Sequence, residues 1–448
     1  MIRHFFASLL CCGVAVMPIA HAEAETIALR HVRLIDGRGG AAVPNQTLII
    51  ADGRIAAVGP DDSVHVPASA RSIDLTGRSI MPGLISDHSH LGYTDDTTSG
   101  PKNYNETNVV RELRQWQRYG VTTITSLGLN RPLFYQLQPR AHAGTLGGAD
   151  FFGADRGIGM PGGAPPMDAA ADQLYRPATV VEAIRDVDET AARHPSIVKL
   201  WVDDFHHSEP AKMSPEIYHA IIAEAHAKGL RVAAHVYYRD DARALVEAGA
   251  DILAHGIRDQ PVDAGLVALM KQRGTWYIPT LGLDESFYLY AQHPDWMDTA
   301  FFGDSVGPAL ALQFADPAWR AKATDPKSLA VNEASLATNS ANLRTLYDAG
   351  VKIGFGTDSG ATPLRIPGFA EHRELALMVK AGLTPLEAIT IATHDAAQLL
   401  QLDDRGVIAP GKRADLLVID GKPDEDIADV DHIDMVWQDG KPIAEAHS

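Results

Sequence analysis

Cysteine is almost absent from this chain of 448 residues. Its two cysteines, Cys11 and Cys12, both fall within the first 22 residues. That stretch starts with basic residues, continues through an apolar run at 5–18 and ends in a small-residue pattern at Ala22, which is typical of a secretory signal peptide. The run is shorter than a membrane span of about 20 residues, so an uncleaved anchor is the less favoured interpretation. We therefore predict residues 1–22 as a signal peptide and the mature protein as exported, either periplasmic or secreted.

The missing cysteines also limit the chemistry of the mature chain. Without a thiol it can form no disulfide and can offer neither a thiolate nucleophile nor a thiolate metal ligand. Any metal ion must then be held by nitrogen and oxygen atoms, which in proteins means chiefly histidine and carboxylate side chains.

Positive charge is scarce as well. The 39 lysines and arginines are outnumbered by 57 aspartates and glutamates, which gives a formal net charge of −18. Nucleic acids and anionic membrane surfaces repel such a protein, so we expect a small-molecule substrate, no nucleic-acid partner and no stable membrane anchor. The sequence is compatible with a homo-oligomer. Its hydrophobic fraction of 46% is ordinary for a globular protein.

The two ends of the chain share one style. Short β-branched or apolar runs at 26–29, 47–50 and 415–419 alternate with turn dipeptides such as Asp52-Gly53, a pattern typical of strands joined by tight turns. We predict that residues 23–80 and 400–448 pair into one small β domain, a β-sandwich, beside a larger domain at 81–399.

Between the ends, short apolar runs alternate with stretches of helical spacing. One such helix is expected at 215–228, after Ser214 as its N-cap. Eight β-then-α units predict an α/β fold, a (β/α)₈ TIM barrel. Two long segments, 157–166 and 287–329, are expected to hang over its mouth. The eight candidate strands are residues 80–85, 121–125, 151–152, 197–202, 230–234, 252–254, 276–278 and 351–355.

Polar residues follow several of these strands, and in a barrel the carboxyl ends of the strands face the active site. Taken alone, a histidine at a strand end is more often a hydrogen-bonded polar residue than a metal ligand. Together, however, these residues lie at strand ends that a barrel brings to one place, so we predict a metal centre. A lysine inside an apolar strand would be costly unless paired or modified. The residues are His88 and His90 after strand one, Lys199 within strand four, His235 after strand five, His255 after strand six and Asp358 after strand eight.

The same residues carry a resemblance to a known family. Residues 81–85 followed by His88-Ser89-His90, Val198-Lys199, His235, 254–256 and 356–358, with 406–416 near the end, resemble the amidohydrolase superfamily, in particular its imidazolonepropionase-like and prolidase-like branches. The resemblance implies two divalent metal ions, of which zinc suits the ligands, and a carboxylated Lys199 as bridging ligand. His88, His90 and Asp358 would then bind one ion, and His235 and His255 the other. One departure is Ser86, where the family usually has an aspartate.

This resemblance leads to a mechanism as a hypothesis. A hydroxide between the ions would attack a substrate carbonyl, with Asp358 as the proton carrier. Tyr237 is our first candidate for stabilising the oxyanion, although a purely packing role is equally compatible. Arg258 is a candidate for binding a substrate carboxylate, against the alternative of a surface ion pair with Asp259 or another carboxylate. His206, with His207 beside it, is expected to line the pocket.

Several functions remain open at this point. Cleavage of an amide C–N bond in a peptide-like or N-acyl small molecule is the leading one. The same pair of ions could hydrolyse esters, lactones or phosphotriesters. Deamination is less favoured, because related deaminases tend to have a glutamate where this chain has Tyr238. A periplasmic binding protein without catalysis is the last alternative, since a fold alone never proves activity.

Overall fold

The computed structural model describes residues 25–205, 207–209 and 211–443. The predicted signal peptide and His206 lie outside the described residues. The strands are β1 (Ile27–Leu34), β2 (Val43–Ala51), β3 (Arg54–Pro60), β4 (Arg71–Asp74), β5 (Ser79–Pro82), β6 (Leu84–Ser89), β7 (Thr94–Asp95), β8 (Thr98–Ser99), β9 (Val121–Ser126), β10 (Asp150–Gly153), β11 (Val198–Trp201), β12 (Val232–His235), β13 (Ile252–Ala254), β14 (Trp276–Ile278), β15 (Lys352–Ile353), β16 (Leu416–Ile419), β17 (Ile433–Gln438) and β18 (Lys441–Pro442).

Helices separate most of these strands. They are α1 (Glu106–Arg118), α2 (Leu133–His142), α3 (Val180–Ala191), α4 (Pro215–Ala227), α5 (Arg239–Ala248), α6 (Ala264–Arg273), α7 (Gly282–Glu285), α8 (Leu289–Gln292), α9 (Ala300–Gly303), α10 (Pro308–Ala315), α11 (Pro317–Ala323), α12 (Pro326–Asp348), α13 (Phe369–Lys380), α14 (Pro385–Thr390) and α15 (Ala396–Leu399). The local sequence explains their ends. For example, Thr179 and Glu182 form a capping box at the start of α3, and Gly249 ends α5 in the left-handed conformation.

Both chain ends build one small sheet. Its strands run in the order β18-β17-β16-β5-β1-β2-β3, and β4 also pairs with β1. The antiparallel pairing of β5 with β16 joins residues 79–82 to residues 416–419, which are more than 330 positions away. This confirms the predicted small β domain, whose eight strands share one hydrogen-bonded sheet.

The predicted strand at 80–85 is in fact two strands. Residues 79–82 belong to the small sheet as β5, whereas β6 begins at Leu84 and belongs to the barrel. The break falls at Pro82-Gly83. Proline cannot donate a hydrogen bond to a neighbouring strand, and a Cβ on Gly83 would come within 2.6 Å of the Thr122 side chain. The chain therefore passes from the small sheet into the barrel at Pro82-Gly83, although the sequence shows a single apolar run there.

The eight barrel strands are β6 and β9–β15, all paired in parallel. Two groups of strands are continuous, in the orders β10-β9-β6 and β11-β12-β13-β14-β15. Parallel bridges between Ala154 and Ile197 and between Ser89 and Ser359 join the two groups at both edges. The predicted (β/α)₈ barrel is thereby confirmed, including the short third and seventh strands.

Apolar side chains fill the barrel below its mouth. Ile197, Ala233, Ile252, Ile278 and Leu399 form one buried cluster, to which helix α15 contributes the leucine. At the mouth, the insertion after β14 packs an aromatic cluster, with Tyr290, Phe302 and Phe314, against Ile366 of the loop after β15. Within the described part of the chain, no helix combines the length and the apolar composition needed to cross a membrane.

Candidate metal centre and active site

The loops that leave the barrel strands carry unusual backbone geometry. Five residues other than glycine adopt positive φ just after a barrel strand: Leu129, Phe205, His255, Thr280 and Asp358, at 60°, 48°, 79°, 48° and 58°. This left-handed region is costly for residues with a side chain, and such residues concentrate at functional sites. Two of the predicted metal ligands, His255 and Asp358, are thus aimed by strained backbone.

His88, His90 and Asp358 meet at the ends of the first and eighth strands. Oδ1 of Asp358 lies 3.0 Å from Nε2 of His90 and 3.2 Å from Nε2 of His88. All three side chains are buried. Glycine at 356 permits this approach, because a Cβ there would come within 2.6 Å of the His88 Cβ. Asp358 also contacts the guanidinium of Arg365.

The hydrogen bonds of His90 leave one nitrogen for a metal ion. Its Nδ1 lies 3.3 Å from the carbonyl oxygen of Gly128. A carbonyl only accepts, so Nδ1 carries the proton and Nε2 holds a lone pair. That lone pair faces a carboxylate oxygen of Asp358. Both atoms are hydrogen-bond acceptors, so they repel each other unless a proton or a cation lies between them. The arrangement fits a divalent cation.

Lys199 reaches the centre from within β11. Only 1% of the residue is exposed, and its Nζ has no hydrogen-bond partner among the described residues. The ring centroid of Trp201 lies 5.3 Å from Nζ. Burial lowers the pKa of this amine to about 7, although the carboxylates of Asp358 and Asp203 act in the opposite direction. A large fraction of Lys199 is therefore neutral, and nucleophilic, near neutral pH.

His235 and His255 form the other side of the centre. Their ring centroids are 4.6 Å apart, and that of His255 is 4.4 Å from His88, so His255 lies between the two halves. Nε2 of His235 lies 3.3 Å from Oδ1 of Asp203, which makes Nε2 the protonated nitrogen. Nδ1 of His235 is buried and has no partner within the described chain. Phe205 stacks on the same ring at 4.5 Å.

The protonation states favour metal binding. Burial lowers the pKa of His88 to about 3, with the charge of Lys199 adding to the effect. Burial likewise lowers the pKa of His235, and that of His255 well below its ordinary value. These imidazoles are consequently neutral at physiological pH, the form that coordinates metals.

The structure brings all six predicted ligands together. His88, His255 and Asp358 each place a ligand atom within 4.8 Å of the other two, and Nε2 of His90 lies 3.0 Å from Oδ1 of the same aspartate. Lys199 lies close enough for its charge to act on His88, His235 and His255. Buried nitrogen atoms without partners are rare in folded proteins unless a ligand satisfies them. The donor set therefore fits divalent cations held by nitrogen and oxygen.

A cavity of about 420 Å³ opens onto this centre. Tyr237 lines it, and its hydroxyl lies 3.2 Å from Oγ of Ser335 on α12. Arg258 lines it as well, and its ion pair is with another carboxylate, Asp284, inside the protein rather than with Asp259 at the surface. The guanidinium is buried, lies 3.2 Å from Asp284 and stacks over the Tyr237 ring at 4.9 Å. Asp259 instead accepts from the backbone N–H of Arg239.

A family model for the amidohydrolase family matches residues 79–443. The chain belongs to this family. Imidazolonepropionase from Nocardia farcinica is 26% identical over 408 residues, which cover 88% of this chain and 90% of that protein. A crystal structure assigned as a prolidase from Bifidobacterium longum has a TM-score of 0.75 at 26% identity, covering 94% and 95% of the two chains. Phenylurea hydrolase B has a TM-score of 0.72 at 25% identity, covering 94% and 97%.

Membership and site together make this amidohydrolase a metal-dependent hydrolase. The structure also locates the one residue that departs from the family pattern. Ser86, where an aspartate is usual, lies 3.1 Å from Oε1 of Glu371, away from the centre. The neighbouring Asp87 is buried and accepts from the backbone N–H of Phe355 at 3.0 Å. Neither residue lines the catalytic cavity.

Sequence reasoning missed three charged residues of the amidohydrolase site. Asp203, Asp284 and Arg365 all line the cavity and are nearly inaccessible to solvent. Asp203 follows β11 by two residues, so the rule that identified the histidines could have found it. Asp284 lies in the short helix α7 of the insertion after β14 and Arg365 in the loop after β15, two segments whose conformations no periodicity predicts. His207 is exposed, pairs with Asp204 at 2.9 Å and does not line the cavity.

Proposed function

We propose that this amidohydrolase cleaves the amide C–N bond of a peptide-like or N-acyl small molecule, using two divalent cations. The observation that carries the proposal is the convergence of six buried donor groups, several of which have no partner among the described residues, at the floor of a cavity of about 420 Å³. That size suits a small molecule. The relatives, among them a prolidase and a phenylurea hydrolase, favour a carbon–nitrogen bond. The N-terminal sequence supports action outside the cytoplasm, in the periplasm or after secretion.

Lys199 is proposed as the ligand shared by both cations after carboxylation. Its neutral Nζ would attack the carbon of carbon dioxide, form an N–C bond and lose a proton, which yields a carbamate anion. A pKa of about 7 makes the neutral amine available for this step. The carbamate supplies the anionic oxygens that His235 and His255 lack. With zinc or a similar ion bound, the centre would supply an acidified water as nucleophile and polarise the substrate carbonyl.

Three side chains are proposed to handle the substrate. Asp358 is ionised, because the positive charge of Arg365 opposes the effect of burial and helps to hold the pKa of this carboxyl group well below its ordinary value. Its carboxylate can take the proton of the nucleophile and deliver it to the leaving nitrogen. The Tyr237 hydroxyl can donate to the developing oxyanion. Arg258, fixed by Asp284, can bind a substrate carboxylate through its remaining N–H groups.

The experiment is a substrate panel on metal-loaded protein. N-acyl amino acids, dipeptides, cyclic amides, esters and lactones are assayed side by side, together with metal analysis per chain. We expect amides to be hydrolysed, two ions per chain, and no activity in His88→Ala. Faster turnover of the esters or lactones than of every amide would reject the amide assignment. Hydrolysis of nothing in the panel by a chain loaded with two ions would reject the proposed substrate class.

A further inference from the structure

A second hollow adjoins the catalytic cavity. It encloses about 700 Å³ between α11, the start of α12 and the loops after β14 and β15. The residues that matter for the argument are Phe287, Trp319, Lys322, Lys327, Val331 and Asn332. We call this hollow the outer groove.

The outer groove and the catalytic cavity share part of their lining. Phe287 and Asn332 line both spaces, so these two side chains lie at the boundary between them. The ring of Phe287 is braced on the cavity side, where the guanidinium carbon of Arg365 lies 5.6 Å from its centroid. A molecule too long for the catalytic cavity would therefore pass Phe287 and continue into the groove.

The surface of the groove combines apolar and positively charged groups. Phe287 and Val331 are 39% and 45% exposed, two of only six large hydrophobic residues that are exposed in the described chain. Lys322 lies in the last turn of α11 and Lys327 in the first turn of α12. Within the described residues, neither lysine has a carboxylate at ion-pair distance. The residues lining the groove include none that is acidic.

The charge of the groove contrasts with its surroundings. The whole chain carries a formal charge of −18, so two lysines beside apolar side chains form a local exception. The nearby Asp325 interacts with the charge of Lys327, and it is also the N-cap of α12, where it accepts from the backbone N–H and the hydroxyl of Ser328 at 3.0 and 3.1 Å. Cations near exposed apolar surface attract molecules that are apolar along their length and anionic at one end.

We propose that the outer groove is a substrate subsite for an apolar chain or ring that carries an anionic group. This inference rests on the proposed function, because it assigns the part of the substrate farthest from the bond to be cleaved. The scissile amide lies at the metal centre, the apolar part runs past Phe287, and the anion meets Lys322 and Lys327.

Three probes with the same amide test the subsite: N-acetyl-leucine, N-octanoyl-leucine and N-suberyl-leucine, the last of which ends in a carboxylate. We expect kcat/KM to rise from the first to the third. Lys322→Glu with Lys327→Glu should lower kcat/KM for the suberyl probe about tenfold, which corresponds to roughly 1.4 kcal/mol. The same double variant should leave kcat/KM for the acetyl probe within about twofold of the wild type. Lys271→Glu with Lys380→Glu, both exposed, is the control with the same change of net charge.

Two results would overturn the subsite. One is equal kcat/KM for all three probes in the wild-type chain. The other is an equal loss in the groove variant and the control variant. Absence of turnover with every probe would count against the proposed function alone, and calorimetry on the unreacted wild-type protein then decides the subsite. Tighter binding of the suberyl probe that the groove variant loses would support it, and binding unaffected by the variant would contradict it. A dimer that dissociates on Val331→Arg would also contradict it, because a second copy would then cover the groove.

Discussion

The two halves of the metal centre differ in how far the protein alone completes them. At the ends of β6 and β15, the carboxylate of Asp358 already lies 3.0–3.2 Å from His88 and His90. Around β11 to β13, Lys199 and Nδ1 of His235 have no partner in the described chain. The first half thus has an anion in place. In the second half, Asp203 is bonded to His235 through Oδ1, and its Oδ2 has no hydrogen-bond partner among the described residues.

This difference teaches that the two ions need not be equivalent. A cation between His88, His90 and Asp358 meets two imidazole nitrogens and one carboxylate oxygen without further chemistry. A cation beside His235 and His255 lacks a strong anionic ligand until Lys199 becomes a carbamate. Burial makes both steps feasible, since it keeps the imidazoles neutral and lowers the pKa of the lysine. We therefore expect binding in two steps, of which only the second depends on carbon dioxide.

The largest effect is expected at the first half. Asp358→Asn keeps an oxygen ligand but cannot take a proton, so metal should remain bound while kcat falls by about 10³. Steady-state rates on the best substrate, together with metal analysis, measure both quantities. Near-normal kcat in this variant would show that Asp358 is a ligand only, and the two halves would then differ less than we propose.

The next effect separates the halves directly. Lys199→Ala should retain one ion per chain and lower kcat by about 10² or more, because the carbamate proposed as a ligand to the second ion is lost. A short carboxylic acid such as propionate should partly restore the second ion by occupying the space of the carbamate. Loss of both ions in this variant would mean that the first half is not complete by itself.

Much of this comparison follows from the sequence. The alternation of apolar runs predicted the barrel, and the position of His88, His90, His235, His255 and Asp358 at strand ends predicted which side chains meet. The common rule is geometric: parallel strands deliver their carboxyl ends to one place. The lysine was identifiable for an energetic reason, because a charge inside an apolar strand is expensive.

What the sequence could not give depends on loops and on contacts between distant residues. The break at Pro82-Gly83 is set by pairing with β16, hundreds of residues away. Arg365 contacts Asp358 only because the loop after β15 folds back, with Gly360 donating to the Arg365 carbonyl. The sequence could not identify which carboxylate pairs with Arg258 for the same reason, since Asp284 comes from the insertion after β14. Local patterns carry no information on such distant partners.

A smaller effect tests how the second half is oriented. Asp203 accepts from Nε2 of His235 and so directs Nδ1 toward the centre. Asp203→Ala should weaken binding of the second ion about 10- to 100-fold, as loss of an outer hydrogen bond to a ligating histidine does. Asp203→Asn, which keeps an accepting oxygen, should weaken it much less. Chelator competition gives the two affinities, and equal losses in both variants would mean that charge rather than orientation matters.

The smallest effect concerns stability in the metal-free, carbon dioxide-free protein. The pKa of Lys199 is about 7 in the folded chain against 10.5 in the unfolded chain, so the unfolded state binds more protons between these values. The free energy of unfolding of the wild type should therefore gain from this group as pH rises above 7. Lys199→Met lacks that gain, and the contributions of the other titrating groups to the pH dependence cancel when the variant is compared with the wild type. The free energy of unfolding of Lys199→Met minus that of the wild type should therefore fall by about 2 kcal/mol between roughly pH 7.5 and 9. Urea denaturation at both pH values with chelator present measures it. A pH-independent difference would mean that Lys199 is hydrated in the folded chain, and the second half would then need no carbamate to satisfy it.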